Sequence, residues 1–412
     1  MESPPNTAFQ RSPPEIWLSI FEQATFVPHA FDTGPSDPFD VPGTPIAIDP
    51  STQVMLQSVL PTKWSLTLVC RYWNDLATPL LYQAVVIRDD HSLQSLRDTL
   101  TKRNKRMSPA GSPTDGLRVR RLDFFQWSPS SADILVDVFQ HLPDLEIYIH
   151  PHNSPKAKSC VQALIANCAP SLRKCILSPQ SSLSLSEYEQ FITRCPNISY
   201  IFKAYPLWED SPMSPTLPDS LTFLSIDRPL TQSRAIPSLQ HVYIWVAWSS
   251  TPQSNQIEAF FGTQGPYIRT IEFHMTSTDV WTILSLYFEC CTRYCPNLVH
   301  IVLIMDYCEY GLAHAPTLSI PATVTHLGLY MGWDELASDL AVHLSVVRIL
   351  FKSQNPVPGV IRRLRALTEH ERKDLQEDLG LRAEFASIAA RCRLEDADGN
   401  ELFPYRQDLD VK

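Results

Sequence analysis

The sequence predicts an α/β protein in which a small N-terminal helical unit precedes an array of stacked helix–strand units. Three observations carry that expectation. A six-residue apolar template recurs between residues 117 and 355. Helical stretches precede many of its copies. The first 90 residues lack the template and hold two amphipathic helical patterns instead. At 412 residues the chain is too long for one compact core and suits several domains or one elongated array.

Ser12, with Pro13 in the first turn and Glu15 three residues on, reads as a capping box. Ile16, Trp17, Ile20, Phe21 and Ala24 then recur on one helical face. Prolines at 28, 35, 38, 42, 45, 50 and 61 interrupt the pattern, so residues 25–62 read as an irregular excursion. A second helix is expected from Ser65 to Ala77, with Leu66, Val69, Cys70, Trp73, Leu76 and Ala77 on one face and Arg71, Asn74 and Asp75 opposite. Thr78 and Pro79 start a short further turn to Tyr82, and Ala84–Ile87 reads as a strand.

These residues resemble an F-box. The resemblance is carried by Ser12-Pro13-Pro14-Glu15-Ile16 leading to Ile20-Phe21, by Val69-Cys70-Arg71-Tyr72-Trp73, and by Pro79-Leu80-Leu81-Tyr82. Ser12 stands where the family carries leucine, and the excursion lengthens the motif. The resemblance implies a Skp-type adaptor as partner and, through it, a cullin scaffold. The adaptor-binding residues it implies are Pro14, Glu15, Ile16, Ile20, Phe21, Leu66, Val69, Cys70, Trp73, Pro79 and Leu80, with Phe21 and Trp73 expected to serve the unit's own core.

Residues 91–116 read as a basic Ser/Pro linker. Lys102, Arg103, Lys105 and Arg106, with Arg118, Arg120 and Arg121 beyond, form the chain's basic cluster. It is readable as an import signal, as a contact for an acidic partner, or as a solvated loop.

The template, apolar at its first, fourth and sixth places, appears as Val119-Leu122-Phe124, Leu142-Leu145-Ile147, Leu172-Cys175-Leu177 and Leu221-Leu224-Ile226. It continues as Leu239-Val242-Ile244, Ile268-Ile271-Phe273, Leu298-Ile301-Leu303, Val324-Leu327-Leu329 and Val346-Ile349-Phe351, with a departing copy at Ile198-Ile201-Lys203. Starts lie about 18 to 30 residues apart, bracketing the period of leucine-rich repeats. Pro170, Pro196, Pro237, Pro266 and Pro296 introduce copies. Each unit is a helix, a proline stop and a strand, and stacked units share the core that a lone unit lacks. A leucine-rich-repeat-like α/β solenoid over 117–355 follows, with a C-terminal helix and tail over 356–412. Within the tail, Glu369–Arg391 reads as a charged capping helix.

Strand residues between the apolar places point the other way. On that concave face the reading places Tyr148, Tyr200, Phe202, His241, Tyr243, Trp245, His274, His300, His326 and Tyr330 as candidate target-binding residues, beside Lys174, Glu272, Arg348, Lys352 and Asp227. Two readings stand: an open protein-recognition face, or a core beneath proline-rich connections or the tail. His300 and His326 share a template place on consecutive strands, which puts them about 5 Å apart. Such a pair suits a metal or a pH response, or a structural or partner contact. Cys290, Cys291 and Cys295 lack zinc spacing and read as buried thiols, and Asp396–Asn400 lacks a calcium loop's later ligands and reads as a turn.

Composition narrows the function. Lysine and arginine number 34 against 44 acidic residues, a net charge of −10 that gives no bulk reason to bind nucleic acid. Hydrophobic residues at 44% exclude a wholly disordered chain. Glycines number only 12 against 35 prolines, and neither phosphate-binding glycine motif occurs. G-x-S-x-G, H-E-x-x-H and C-x-x-C are also absent. No catalytic residue, cofactor or metal is therefore expected. The first residues lack a signal peptide's pattern, and the longest apolar stretches, 280–291 and 298–305, fall short of the roughly 20 residues that span a bilayer. Most of the ten cysteines sit in apolar runs. A soluble cytoplasmic or nuclear chain without membrane or nucleic-acid partner is expected. With the resemblance, the expected function is the substrate-recognition subunit of a cullin-based, SCF-type ubiquitin ligase. The alternative is an F-box-like repeat scaffold that binds protein without ligase activity.

Overall fold

The computed structural model describes residues 12–35, 37–41, 51–106, 119–125, 132–150, 157–177, 185–203, 217–226, 234–246, 254–275, 280–305, 318–331, 344, 346–348, 357–364 and 368–402. The chain forms two compact units: Met1–Thr33 with Ile48–Ile198, and Gly34–Ala47 with Ser199–Lys412.

The first unit opens with helices α1 (Pro14–Ala24), α2 (Ser51–Ser58), α3 (Leu60–Leu68) and α4 (Arg71–Gln83). Their core is Phe21, Ala77 and Leu80, against which Trp17, Leu18, Leu66, Trp73 and Leu76 pack. Phe21 and Trp73 meet edge to face at 4.7 Å, and Trp17 lies 5.2 Å from Trp73. Three local expectations need correction. Pro13, not Ser12, precedes α1, and no side chain caps it. The prolines near 61 do not keep the chain irregular up to Ser65: Pro61 falls in the first turn of α3, where its missing N–H costs little. The single helix expected over 65–77 is broken at Cys70, whose backbone is extended and whose Sγ accepts the Trp73 N–H at 3.5 Å. Asn74 Nδ2 then ties the two helices by donating to the Thr67 carbonyl at 2.9 Å.

Strand β1 (Ala84–Ile87), helix α5 (Asp90–Arg106), β2 (Arg121–Phe124), α6 (Ala132–Phe139), β3 (Ile147–His150), α7 (Ala157–Cys168), β4 (Lys174–Leu177) and α8 (Leu185–Arg194) follow. The strands pair in parallel, each with the next in sequence. Two members of the expected basic cluster are neutralised by carboxylates. Arg120 binds Glu146 at 2.8 Å and Arg121 binds Asp123 at 2.7 Å, the latter pair buried. Arg118 lies outside the described residues.

The second unit holds β5 (Tyr200–Lys203), β6 (Phe223–Ile226), β7 (His241–Val246), α9 (Ser254–Gln264), β8 (Thr270–Met275), α10 (Val280–Tyr294), β9 (His300–Met305), β10 (His326–Met331), β11 (Val360–Arg363), α11 (Glu369–Glu377), α12 (Leu379–Ala389) and β12 (Arg393–Glu395). These strands too are parallel and neighbour one another in sequence order. The template's apolar residues face the helices: Phe273 packs on Tyr287 at 5.5 Å and on Phe288 at 5.7 Å.

The turns explain the recurring prolines. A Ser or Asn just after the proline donates to the preceding unit's turn: Ser171 to the Pro143 carbonyl, Asn197 to Pro170 and Asn297 to Pro266, each at 2.7 Å. Turn carbonyls are thereby satisfied from one repeat to the next.

Two template copies are misplaced by the sequence reading. Pairing aligns Leu122, Tyr148 and Cys175, so Tyr148 points toward the helices, 5.4 Å from Phe139, and is not a concave-face residue. Leu142 and Leu145 are both buried beside the turn, which gave the apolar pattern two solutions. With a period of two, the wrong one moves Tyr148 to the opposite face. The copy at Val346 is not a strand: Val346–Arg348 is helical, and Ile349 and Phe351 lie outside the described residues. The strand beside β10 is β11. The charged run at 369–391 is two helices, because Asp378 starts α12 by accepting the Leu381 N–H at 3.0 Å. The chain then adds β12 to the sheet.

Candidate functional site

Strands β5–β10 carry rings on the face turned away from the helices. Tyr200 stacks on Phe223 at 3.9 Å and Phe202 meets Tyr243 at 4.8 Å. The Tyr243 hydroxyl is hydrogen-bonded to His274 Nδ1, and Trp245 lies 4.2 Å from the same imidazole. His241 Nε2 and Glu272 Oε1 are 2.7 Å apart. His300 and His326 pair in register with ring centroids 5.0 Å apart, the separation that strand spacing predicts.

This face is not open. Tyr200, Phe202, His241, Tyr243, His274 and His300 are buried, while Trp245, His326 and Tyr330 are half-buried. Over β8–β11 the cover is the proline-rich excursion. Asp37 accepts the Thr270 hydroxyl at 2.5 Å and faces His300 Nδ1 at 2.6 Å. Phe39 is buried between His300 at 4.8 Å and His326 at 5.2 Å. Asp40 pairs with Arg269 at 2.7 Å. Arg362, itself paired with Glu395 at 2.6 Å, donates to the Pro38 carbonyl.

Burial alone would raise the Asp37 carboxyl, but the His300 hydrogen bond and charge, with Thr270, hold it well below the usual carboxylate range. His326 is pushed down, first by burial and then by His300 and Arg362. Among the described residues no group of three His, Cys, Asp or Glu side chains is arranged to hold a metal.

The first unit uses the same device. Arg121 donates to the Ala30 carbonyl at 2.6 Å, and the Arg120 guanidinium lies 4.9 Å from the Phe31 ring centroid. Burial, and then Arg121, push the Lys174 ammonium down to about 8, although Asp123 and Asp32 oppose the shift.

The motif-derived residues divide by exposure. Phe21 and Leu80 are core, and Leu66 and Trp73 are half-buried against it. Pro14, Glu15, Cys70 and Pro79 are exposed. Ile16, Ile20 and Val69 are 52%, 47% and 58% exposed, large values for apolar side chains. Trp64 and Leu68 of α3, exposed by 56% and 65%, join them and were not singled out by the sequence reading. Their signal was the apolar spacing of 60–68, hidden by Pro61. Arg348 pairs with Glu384, and Asp227 and Lys352 lie outside the described residues. Cys290, Cys291 and Cys295 are buried, and Asp396 Oδ1 accepts the Asp398 and Asn400 N–H groups in a turn closed by Gly399 at φ 78°.

Parallel strands that neighbour one another in chain order, many of them preceded by a helix or a turn, define a mixed α/β repeat fold. No family model matches the chain and no curated protein matches it. Among solved structures, the leucine-rich repeat-containing protein LegL7 from Legionella pneumophila is similar over 70% of this chain and 78% of that one, at 13% identity and a TM-score of 0.31. Among the described residues no helix is long and apolar enough to cross a membrane.

Proposed function

We propose that the chain is the substrate-recognition subunit of a cullin-based, SCF-type ubiquitin ligase, acting in the cytoplasm or nucleus. Its helical unit binds a Skp-type adaptor and its repeat strands hold a protein target. Catalysis belongs to other subunits; this chain contributes position. The observation that carries the reading is the exposed apolar set Ile16, Ile20, Trp64, Leu68 and Val69 on α1, on α3 and at the α3–α4 junction, three of them at motif positions. Large apolar side chains left in water on a unit with its own complete core suit protein association.

Co-purification with a Skp-type adaptor tests this. Val69→Asp with Cys70→Asp places charge on that surface, while aspartate at 70 still caps α4. Adaptor recovered with the unaltered chain and lost with the double variant is the expected result. Adaptor recovered with neither, or equally with both, overturns the ligase reading and leaves a repeat scaffold that binds protein without a ligase.

A further inference from the structure

Residues 37–41 lie on β8–β11 as a bound peptide would. Each contact is a recognition contact: a carboxylate on Thr270 and His300, a backbone carbonyl on Arg362, a second carboxylate on Arg269. The Phe39 ring fills the space over Gly328, where an added methyl would come within 3.0 Å of the ring's Cζ. The rings of His300 and His326 flank Phe39, and the Arg362 guanidinium lies 5.4 Å from its centroid. The strands need none of this to pair, since their backbone register is complete without the segment. Two cationic side chains, Arg269 and Arg362, and the His300–Thr270 pair thus surround a slot for one aromatic ring between two acidic residues. That is a reader's chemistry, satisfied from within the chain.

We propose that this face is a binding site for an acidic–aromatic segment of a partner protein, of the form Asp-Pro-Phe-Asp, and that residues 37–41 occupy it as a built-in competitor. The proposal rests on the reading of the repeat strands as a protein-binding surface and not on the adaptor. A tethered segment competes at an effective concentration set by its tether, so weakening it exposes the site to the same sequence supplied in trans. A segment that is only part of the core would not exchange.

The experiment uses the full chain and a fluorescein-labelled peptide with the sequence of residues 34–41, followed by fluorescence anisotropy. The variant Asp37→Ala with Phe39→Ala should bind the peptide at least about ten-fold more tightly than the unaltered chain. Adding His300→Gln to that variant should return the affinity to the unaltered level. Equal affinity for the double variant and the unaltered chain, indifference to His300→Gln, or equal binding of a scrambled peptide overturns the proposal. Should circular dichroism show that the double variant does not fold, Asp37→Asn, which keeps the side chain's shape, replaces it under the same criteria. Adaptor recovery by the same variants, measured alongside, reports separately on the ligase reading.

Discussion

The carboxylate of Asp37 lies 2.6 Å from Nδ1 of His300, although 263 residues separate them. The contact joins a proline-rich excursion to the ninth strand and covers a face that the strands alone would leave to solvent. It also has a titration signature. A carboxyl held below its usual range contributes stability that is present above the unfolded value, about 3.9, and lost as pH falls through the depressed folded value. Asp37→Asn should cost about 1–3 kcal/mol at neutral pH. The gap between the two chains, measured by urea unfolding, should shrink as pH is lowered from about 5.

Lys174 has a slope of the same sign in a different, alkaline window. Its ammonium is pushed down to about 8, so between that value and the unfolded one near 10.4 the unfolded chain binds the additional proton. Stability from this group therefore rises with pH across that window. Lys174→Met should remove the rise, and parallel unfolding curves at about pH 8 and pH 10 would display the difference.

Burial separates two kinds of motif residue in the helical unit. Phe21, fully buried, should cost about 3–5 kcal/mol as Phe21→Ala. Ile16→Asp, at a half-exposed site, should change stability by no more than about 0.5 kcal/mol while abolishing adaptor recovery. Thermal melts paired with the adaptor pull-down check both halves.

Thiol chemistry should be selective. Of the cysteines in the described residues only Cys70 is exposed, and burial pushes Cys168 and Cys195 up to about 12. A thiol reagent under native conditions should modify Cys70 well before Cys168, Cys175 or Cys195, as peptide mapping by mass spectrometry would report. Modification should also weaken the start of α4, because the same sulfur caps it.

Much of the repeat fold was legible because it is local. An apolar pattern such as Ile268-Ile271-Phe273, between a helix and a proline turn, marks strand, face and neighbour together, and His300 beside His326 followed from the register. Tyr148 was misread because Leu142 and Leu145 offered a second, equally apolar phase. α3 was missed because Pro61 signals a break as readily as a helix start. The open or covered state of the face was undecided for another reason. The cover consists of Asp37, Pro38, Phe39 and Asp40, a stretch with no periodicity, whose partners lie hundreds of residues away. Composition reads such a stretch as a loop, and only its contacts make it a lid on the strands.

The grip of Arg362 on the Pro38 carbonyl spans 324 positions. A ribosome adding roughly 5–20 residues per second needs about 16 to 65 seconds to travel from one to the other. Through that interval every newborn copy carries its acidic–aromatic segment without the arginine that finally holds it. Each molecule thus begins life with the segment unclaimed, and the order of synthesis decides which surface meets it first.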